Sequence, residues 1–362
     1  LSHWSRRLRR WTWQLPVLVA GLLAGCAAPA PDGQATAPSA TATGPAQAPA
    51  PFVPQGPLSA VEVGELKYRQ IASLTAPKDI WERIRRRFAM SDLDTDLVRD
   101  REQWYASRPD YIQRMTSRSE MYLFHIVEEI ERRELPMELA LLPFIESAFN
   151  PLAVSSARAA GMWQFMPATG QSFDLKQNMF RDDRRDVLAS TRAALDYLEQ
   201  LYSRFGDWQL ALAAYNWGQG NVGRAIARNQ SQGLGTGYLD LNMPQETRYY
   251  VPKLQAVKNI VARPEAFGLQ LPDIGNHPFF DTITIDRDID VAMIARMAEV
   301  AEKDFRALNP SITLPVVMAA GTPNVLLPWD NAALFEARLK EHQGPLASWT
   351  AYAVVNSRWL AR

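Results

Sequence analysis

One acidic residue stands at the end of an apolar run and could serve as a proton donor. Residues 142–146 read Leu-Pro-Phe-Ile-Glu, so apolar neighbours precede the carboxyl group of Glu146. Loss of water disfavours the charged form of a carboxyl group and raises its pKa. A carboxyl group whose pKa approaches neutrality retains a proton for a leaving oxygen, which makes Glu146 a candidate general acid. Taken alone, Glu146 could equally be a glutamate near a helix end without a chemical role.

Other motifs follow Glu146 in a fixed order. Ser147 is its neighbour, Ser155 follows nine residues on, residues 161–170 read Gly-Met-Trp-Gln-Phe-Met-Pro-Ala-Thr-Gly, and residues 214–216 read Ala-Tyr-Asn. This set resembles the motifs of family 1 lytic transglycosylases, similar to glycoside hydrolase family 23, which cleave the glycan strands of bacterial peptidoglycan. The resemblance covers about residues 80 to 340 and is strongest from 135 to 255.

The resemblance implies a reaction with a single acid and no metal or cofactor. Glu146 would protonate the glycosidic oxygen between N-acetylmuramic acid and N-acetylglucosamine. It would then act as a base on the sugar's own 6-hydroxyl, which attacks C1 and closes a 1,6-anhydro ring. Holding that hydroxyl near C1 makes the second step intramolecular, which favours it strongly.

The resemblance also implies which residues contact the substrate. Ser155 would bind near the carboxyl or N-acetyl group, Gln164 would contact glycan, and the hydroxyl of Tyr215 would point at the acid. Residues 246–252, Glu-Thr-Arg-Tyr-Tyr-Val-Pro, resemble the closing helix of the D-type membrane-bound enzymes. The predicted substrate-binding residues are Ser147, Ser155, Gly161, Trp163, Gln164, Tyr215, Asn216, Glu246 and Tyr249. For Trp163, packing in a helical core is an equally ordinary role.

A second catalytic carboxylate is not evident. Glycoside hydrolysis usually employs two carboxyl groups. The downstream acids lie among Arg and Lys residues and are predicted to be solvated or paired with arginine: Asp174, Asp182, Asp183, Asp186 and Asp196. Glu246 is the only alternative to Glu146. This favours a lytic transglycosylase over a hydrolytic muramidase, which remains an alternative, as does a non-catalytic wall-binding lipoprotein.

One position departs from the family pattern. Ser156 follows Ser155 where the family usually has glycine. If that glycine adopts a positive φ angle, Ser156 would add strain of about 1 kcal/mol to the loop.

Helical periodicity dominates the region that carries these motifs. Leu123, Ile126, Val127 and Ile130 are spaced to share one helix face. Residues 119–265 are therefore predicted to form a mainly α domain, and the resemblance implies a lysozyme-like fold of the goose type. Residues 59–118 are predicted to form an N-terminal helical cover on it.

The sequence changes character after residue 272. Residues 278–330 show a strand, two short helices and a strand, a small α+β pattern that resembles a degenerate LysM module. Such modules bind glycan containing N-acetylglucosamine, but this one could instead only pack on the catalytic domain. Residues 345–362 resemble the start of a further, truncated module.

The N-terminal residues are predicted to target the protein to a membrane. Residues 1–26 combine four arginines, a short apolar run and Leu-Ala-Gly-Cys, which resembles a lipoprotein signal peptide with Cys26 as the lipidated residue. Ala27, rather than Asp, after the cysteine implies retention in the outer membrane, facing the periplasm. Residues 27–58 are rich in Ala and Pro and are predicted to form a disordered tether.

The composition excludes several other functions. The 362 residues carry a net charge of zero, which gives no support to a nucleic-acid partner. With four His and a single Cys, a Cys/His zinc site is not supported and an intrachain disulfide is impossible. The predicted partners are peptidoglycan strands and, through the lipid, the outer membrane.

Overall fold

The structure is a computed structural model that describes residues 77–348, most of which lie in helices. The helices are α1 Ile80–Arg85, α2 Asp96–Ala106, α3 Pro109–Ser119, α4 Leu123–Arg132, α5 Leu142–Ser147, α6 Pro167–Ser172, α7 Val187–Phe205, α8 Trp208–Trp217, α9 Gln219–Ser231, α10 Gln245–Arg248, α11 Tyr250–Ala262, α12 Val291–Ala298, α13 Glu302–Leu308 and α14 Trp329–Glu341. The strands are β1 Phe280–Thr284, β2 Ile289–Asp290, β3 Val316–Val317 and β4 Asn324–Pro328. A 3₁₀ helix, Met137–Leu141, leads directly into α5.

Local sequence signals set the bounds of the central helices. The carboxylate of Asp186 accepts a hydrogen bond from the backbone N–H of Ala189 and caps the start of α7. Gly206 ends the same helix in a left-handed conformation, and Asp207 caps α8 through the N–H of Leu210. The predicted apolar face of α4 is confirmed, because Leu123, Ile126, Val127 and Ile130 are all buried.

The N-terminal helices are tied to the rest of the domain by buried polar contacts. The carboxylate of Glu138 accepts hydrogen bonds from the backbone N–H groups of Ala89 and Met90, and it pairs with Lys258 of α11 at 2.9 Å. The indole N–H of Trp81 donates to the carbonyl of Pro272 at 2.9 Å. These contacts fix the segment around residue 90, the 3₁₀ helix and α11 relative to one another.

Two short antiparallel strand pairs and three helices form the C-terminal module. β1 pairs with β4, with Thr282 opposite Leu326, and β2 pairs with β3. The predicted strand, helix, helix, strand order is present. The helix α14 was not predicted, because it follows β4 without a side-chain cap and buries only Ala332 and Phe335.

The module packs against the helical domain. The hydroxyl of Ser311 donates to the carboxylate of Asp186 at 3.1 Å, and Tyr122 donates to the carbonyl of Ala307 at 2.8 Å. Leu308 and Leu326 belong to the core of the helical domain. Packing is thus one role of the module, and glycan binding by it stays a prediction.

The prediction of a mainly α fold with a small α+β module is confirmed. The predicted signal peptide, the tether and most of residues 345–362 lie outside the described residues. Within residues 77–348, no helix is both long enough and apolar enough to cross a membrane.

Candidate active site

A sharp backbone reversal after α5 positions the candidate acid. Pro143 lies in the first turn of α5, and the helix ends at Ala148, whose φ is 52°. Phe149 is also left-handed, with a φ of 55°, and its fully buried ring contacts Phe144 with centroids 4.5 Å apart. Left-handed backbone costs a non-glycine residue about 1 kcal/mol or more, so burial of Phe149 offsets strain in the turn beside Glu146.

The carboxyl group of Glu146 is enclosed by protein and hydrogen-bonded to a tyrosine. The hydroxyl of Tyr250 donates to Oε1 of Glu146. Desolvation raises the pKa of Glu146 from its ordinary value of 4.5 to about 7, although the Tyr250 hydrogen bond and the charge of Lys253 oppose the rise. The charge of Glu246 adds to it. Because part of the residue remains exposed, Glu146 is an accessible acid that is largely protonated just below neutral pH.

Tyr250 was not among the predicted site residues, and the predicted role of Tyr215 is corrected. The hydroxyl of Tyr215 donates to the carbonyl of Trp163 at 2.8 Å, and a phenol has only one proton to donate. Burial raises the pKa values of both tyrosines well above 10, so both stay protonated. The sequence did contain a signal for Tyr250, which begins the buried face that continues through Leu254 and Val257.

A tight loop after the acid requires glycine at one position. Gly161 has a φ of 84°, and a Cβ atom there would lie 1.9 Å from the carbonyl oxygen of Arg184. Gln164 is left-handed with a φ of 49°, and its Nε2 donates to the carbonyl of Gly161 at 2.8 Å. Gly161 therefore serves the backbone, and the Gln164 side chain closes the loop while remaining partly exposed.

Trp163 does not offer a plane to a sugar ring, which corrects its prediction as a substrate contact. Its exposed fraction is 0%, and its indole N–H donates to Oγ1 of Thr191 at 3.1 Å. The packing alternative for this residue is the one that the structure supports.

Three other residues that were predicted to contact the substrate form hydrogen bonds within the protein, and each remains partly exposed. Ser147 donates to the carbonyl of Met162 at 3.0 Å, and Ser155 accepts from the N–H of Ala159 at 3.0 Å. The side-chain oxygen of Asn216 accepts from Thr247 at 2.8 Å. The first bond joins α5 to the loop after it, the second lies within that loop, and the third joins α8 to α10. Substrate binding by Ser147, Ser155 and Asn216 stays a prediction.

The expected strain at Ser156 is absent. Ser156 has no positive φ angle, and Arg158 adopts the left-handed conformation in this loop instead, with a φ of 67°.

The other acids of residues 77–348 do not form a second enclosed carboxylate beside Glu146. Glu246 is exposed, and Tyr249 is half-buried beside it. Asp182 and Asp183 pair with Arg184 and Arg181 at 2.8 and 2.5 Å, as predicted. Asp186 differs from the prediction: it is enclosed as a helix cap, and burial raises its pKa.

A helical domain that encloses the carboxyl group of Glu146 beside a tyrosine, followed by a small strand-containing module, agrees with two family comparisons. Residues 125–234 match the family described as Transglycosylase SLT domain. Residues 279–344 match the LysM-like domain of lytic transglycosylase MltD. The chain therefore carries a transglycosylase SLT domain followed by a LysM-like domain of the MltD type, and its helical domain is lysozyme-like.

Individual relatives agree with this assignment. The chain is 36% identical over 261 residues to membrane-bound lytic murein transglycosylase D of Escherichia coli (strain K12), covering 72% of this chain and 58% of that protein. It thus spans less than two thirds of this relative's length. A putative tributyltin chloride resistance protein of Alteromonas sp. (strain M-1) is 41% identical over 175 residues, which are 47% of this chain and 81% of that protein.

A solved structure of lytic transglycosylase Slt from Pseudomonas aeruginosa is 23% identical in sequence, and the match covers 40% of this chain and 24% of the Slt chain. It superposes with a TM-score of 0.29, which is too low to add to the fold assignment.

The two tyrosines near Glu146 should behave differently when each loses its hydroxyl. Tyr250→Phe removes a hydrogen bond to the acid that lowers its pKa, so turnover should fall by roughly ten- to hundred-fold, because 1.36 kcal/mol is a factor of ten in rate. The alkaline limb of the pH profile should also move to higher pH. Tyr215→Phe should mainly lower the melting temperature, since it leaves the Trp163 carbonyl without its donor. Turnover per folded molecule and melting temperature, measured on both variants, decide this, and equal pH profiles would contradict it.

Proposed function

We propose that this protein is a peptidoglycan lytic transglycosylase that cleaves the β-1,4 bond between N-acetylmuramic acid and N-acetylglucosamine and forms 1,6-anhydromuramoyl ends. The observation that carries the proposal is the enclosed carboxyl group of Glu146, whose pKa lies near 7 and whose Oε1 accepts from Tyr250. The matches of residues 125–234 to the transglycosylase SLT domain and of residues 279–344 to the MltD LysM-like domain support it.

In the first step, protonated Glu146 gives its proton to the glycosidic oxygen as the bond from C1 to that oxygen breaks. The carboxyl group becomes a carboxylate, and the Tyr250 hydroxyl donates a stronger, charge-assisted hydrogen bond to it. Tyr250 thereby stabilises the charge that develops on Glu146 and holds the carboxylate in place for the second step.

In the second step, the carboxylate accepts the proton of the 6-hydroxyl while O6 bonds to C1. The proton that left Glu146 is thus replaced, no water is consumed, and the enzyme returns to its starting state. A group that acts as acid and then as base works best when its pKa is near the working pH, which the enclosure of Glu146 provides.

Among residues 77–348, no second enclosed carboxyl group lies beside Glu146, which supports this route over hydrolysis. A retaining glycosidase places a second carboxyl group about 5–5.5 Å from the first, and an inverting one about 6.5–9.5 Å away with room for water. Among residues 77–348, Glu246 is the carboxylate whose charge acts on Glu146, and it is exposed at the rim.

The products of sacculus digestion test the reaction and its acid together. Glu146→Gln should lower turnover by roughly 10²- to 10⁴-fold, because an amide cannot donate and recover the proton, while sacculus binding persists. Mass spectrometry of the wild-type digest should show anhydro ends, each lighter by one water than a hydrolytic product. Glu246→Gln is the matched control and should stay within tenfold of wild type.

Three outcomes would contradict this. Reducing ends would indicate a muramidase, and binding without products would indicate a wall-binding protein. Activity of Glu146→Gln within tenfold of wild type would exclude Glu146 as the acid.

The pH profile should report the charges around Glu146. Because the free enzyme needs protonated Glu146, kcat/KM should fall as pH rises through about 7. Lys253 lowers the pKa of Glu146 and Glu246 raises it, so Lys253→Gln should move the alkaline limb to higher pH and Glu246→Gln to lower pH. Profiles of the two variants, recorded at constant ionic strength, should shift in opposite directions. A common shift, or none, would mean that another group controls this limb.

We further propose that the protein is an outer-membrane lipoprotein anchored through Cys26. The basic residues, the short apolar run and the Leu-Ala-Gly-Cys sequence support this. The E. coli relative carries "membrane-bound" in its name.

Replacement of the cysteine tests the anchor. Cys26→Ser should move the protein from the membrane fraction to the periplasm with unchanged activity on isolated sacculi. Fractionation after high-salt and carbonate washes is the measurement. Retention of the Ser variant in washed membranes would show that another feature provides the anchor.

A further inference from the structure

A cavity that contains two basic side chains opens beside the candidate acid. It has a volume of about 390 Å³ and is lined by Arg101, Gln245, Glu246, Tyr249 and Lys253. Tyr249 immediately precedes Tyr250, the partner of Glu146, and Lys253 follows Tyr250 by one turn of α11. The charges of Lys253 and Glu246, both in the lining, act on Glu146, so the cavity lies near the candidate acid.

The N-terminal part of the described chain supplies one of the two cations. Arg101 lies on α2, and its guanidinium is 5.0 Å from the ring centroid of Tyr249. Its Nε and Nη2 atoms bind the neighbouring carboxylate of Asp100, whose side chain is 51% exposed. Within residues 77–348, Nη1 of Arg101 has no hydrogen-bond partner. An exposed ion pair of this kind contributes little to stability, so a substrate carboxylate can replace Asp100 readily.

Lys253 supplies the second cation. It is half-buried, and no carboxylate of the described residues lies within 4 Å of its Nζ atom. Arginine and lysine together, beside an aromatic ring, form a typical recognition site for a carboxylate. Glu246 is the single acidic group in the cavity lining, and its exposed oxygens can accept amide N–H groups.

The chemistry of the substrate narrows the choice of anion. In peptidoglycan the lactyl group of the muramoyl sugar is bound to the peptide stem as an amide, so the glycan itself is uncharged near the cleaved bond. The nearest carboxylates are those of the stem. We propose that Arg101 and Lys253 bind a stem carboxylate of the muramoyl residue in the cleft and so make the enzyme selective for glycan with charged stems. This inference rests on the proposed function.

Two muramoyl glycan fragments that differ only in stem charge provide the test. In one the stem carboxylates are free, and in the other they are carboxamides of nearly the same shape. The wild-type enzyme should show a roughly ten-fold lower KM for the charged fragment, with similar kcat values. Arg101→Gln should bring the KM ratio near one, without a large change in kcat for the amidated fragment, and Arg101→Lys should restore part of the preference.

Matched controls separate charge recognition from other effects. Arg99→Gln removes an exposed arginine of α2 that pairs with Asp94 and Asp96, and it should keep the wild-type ratio. Lys253→Gln should also reduce the ratio, and it is compared at its own pH optimum because Lys253 acts on the pKa of Glu146.

The affinity of the Glu146→Gln variant for both fragments is measured in parallel, because this variant reports substrate binding without turnover. Equal KM and equal binding of the two fragments by wild type would overturn the inference, as would an Arg101→Gln variant that weakens both fragments alike. If the wild-type protein makes no anhydro product from either fragment, the proposed function fails, and the binding ratio still decides whether the cavity recognises the stem.

Discussion

The candidate active site depends on enclosing the carboxyl group of Glu146 beside the hydroxyl of Tyr250, which donates a hydrogen bond to it. Glu146 comes from α5 and Tyr250 from α11, so the site exists only while these two helices hold their relative position. A second acidic contact joins the same two parts of the chain. Glu138 precedes α5, and it pairs with Lys258, two turns beyond Tyr250 on α11. The two pairs differ in kind: Glu138 has a cation and backbone donors, whereas Glu146 has a neutral phenol that leaves it able to hold a proton.

Strain near the acid is distributed over short segments that the core holds in place. Ala148 and Phe149 are left-handed in consecutive positions, and Gln164 is left-handed in the facing loop. Hydrogen bonds from Ser147 to Met162 and from Gln164 to Gly161 connect these segments. The motif residues that first indicated a substrate site therefore also fix the backbone around Glu146, which is consistent with strain concentrated at functional sites.

The sequence predicted the helical domain, the order of elements in the C-terminal module and the environment of Glu146, because each follows from local patterns. The apolar residues that precede Glu146 are visible in the sequence, and the structure shows the enclosed carboxyl group that they predicted. Whether Tyr215 or Tyr250 donates a hydrogen bond to Glu146 depends on how α11 packs against α5. The spacing of residues within one motif does not encode that packing. The role of Trp163 was ambiguous for a similar reason, since an aromatic residue in a motif can pack in the core or contact a sugar ring.

The enclosure that suits Glu146 to catalysis also costs folding free energy, and the size of that cost depends on pH. The pKa of Glu146 is about 7 in the folded protein and near 4.5 when the chain is unfolded. The folded state therefore holds the proton more tightly, so stability is unaffected well below pH 4.5, declines as pH rises from about 4.5 to about 7, and is constant in this respect at higher pH. At 1.36 kcal/mol per pKa unit, the full penalty is about 3 kcal/mol, an appreciable fraction of the stability of a domain. The contact between Glu138 and Lys258, which joins the same elements, opposes the separation that would hydrate Glu146. The Glu138–Lys258 contact and the protonated Glu146 lie between the same two elements, which allows the carboxyl group of Glu146 to stay enclosed near neutral pH, where the proposed chemistry requires it.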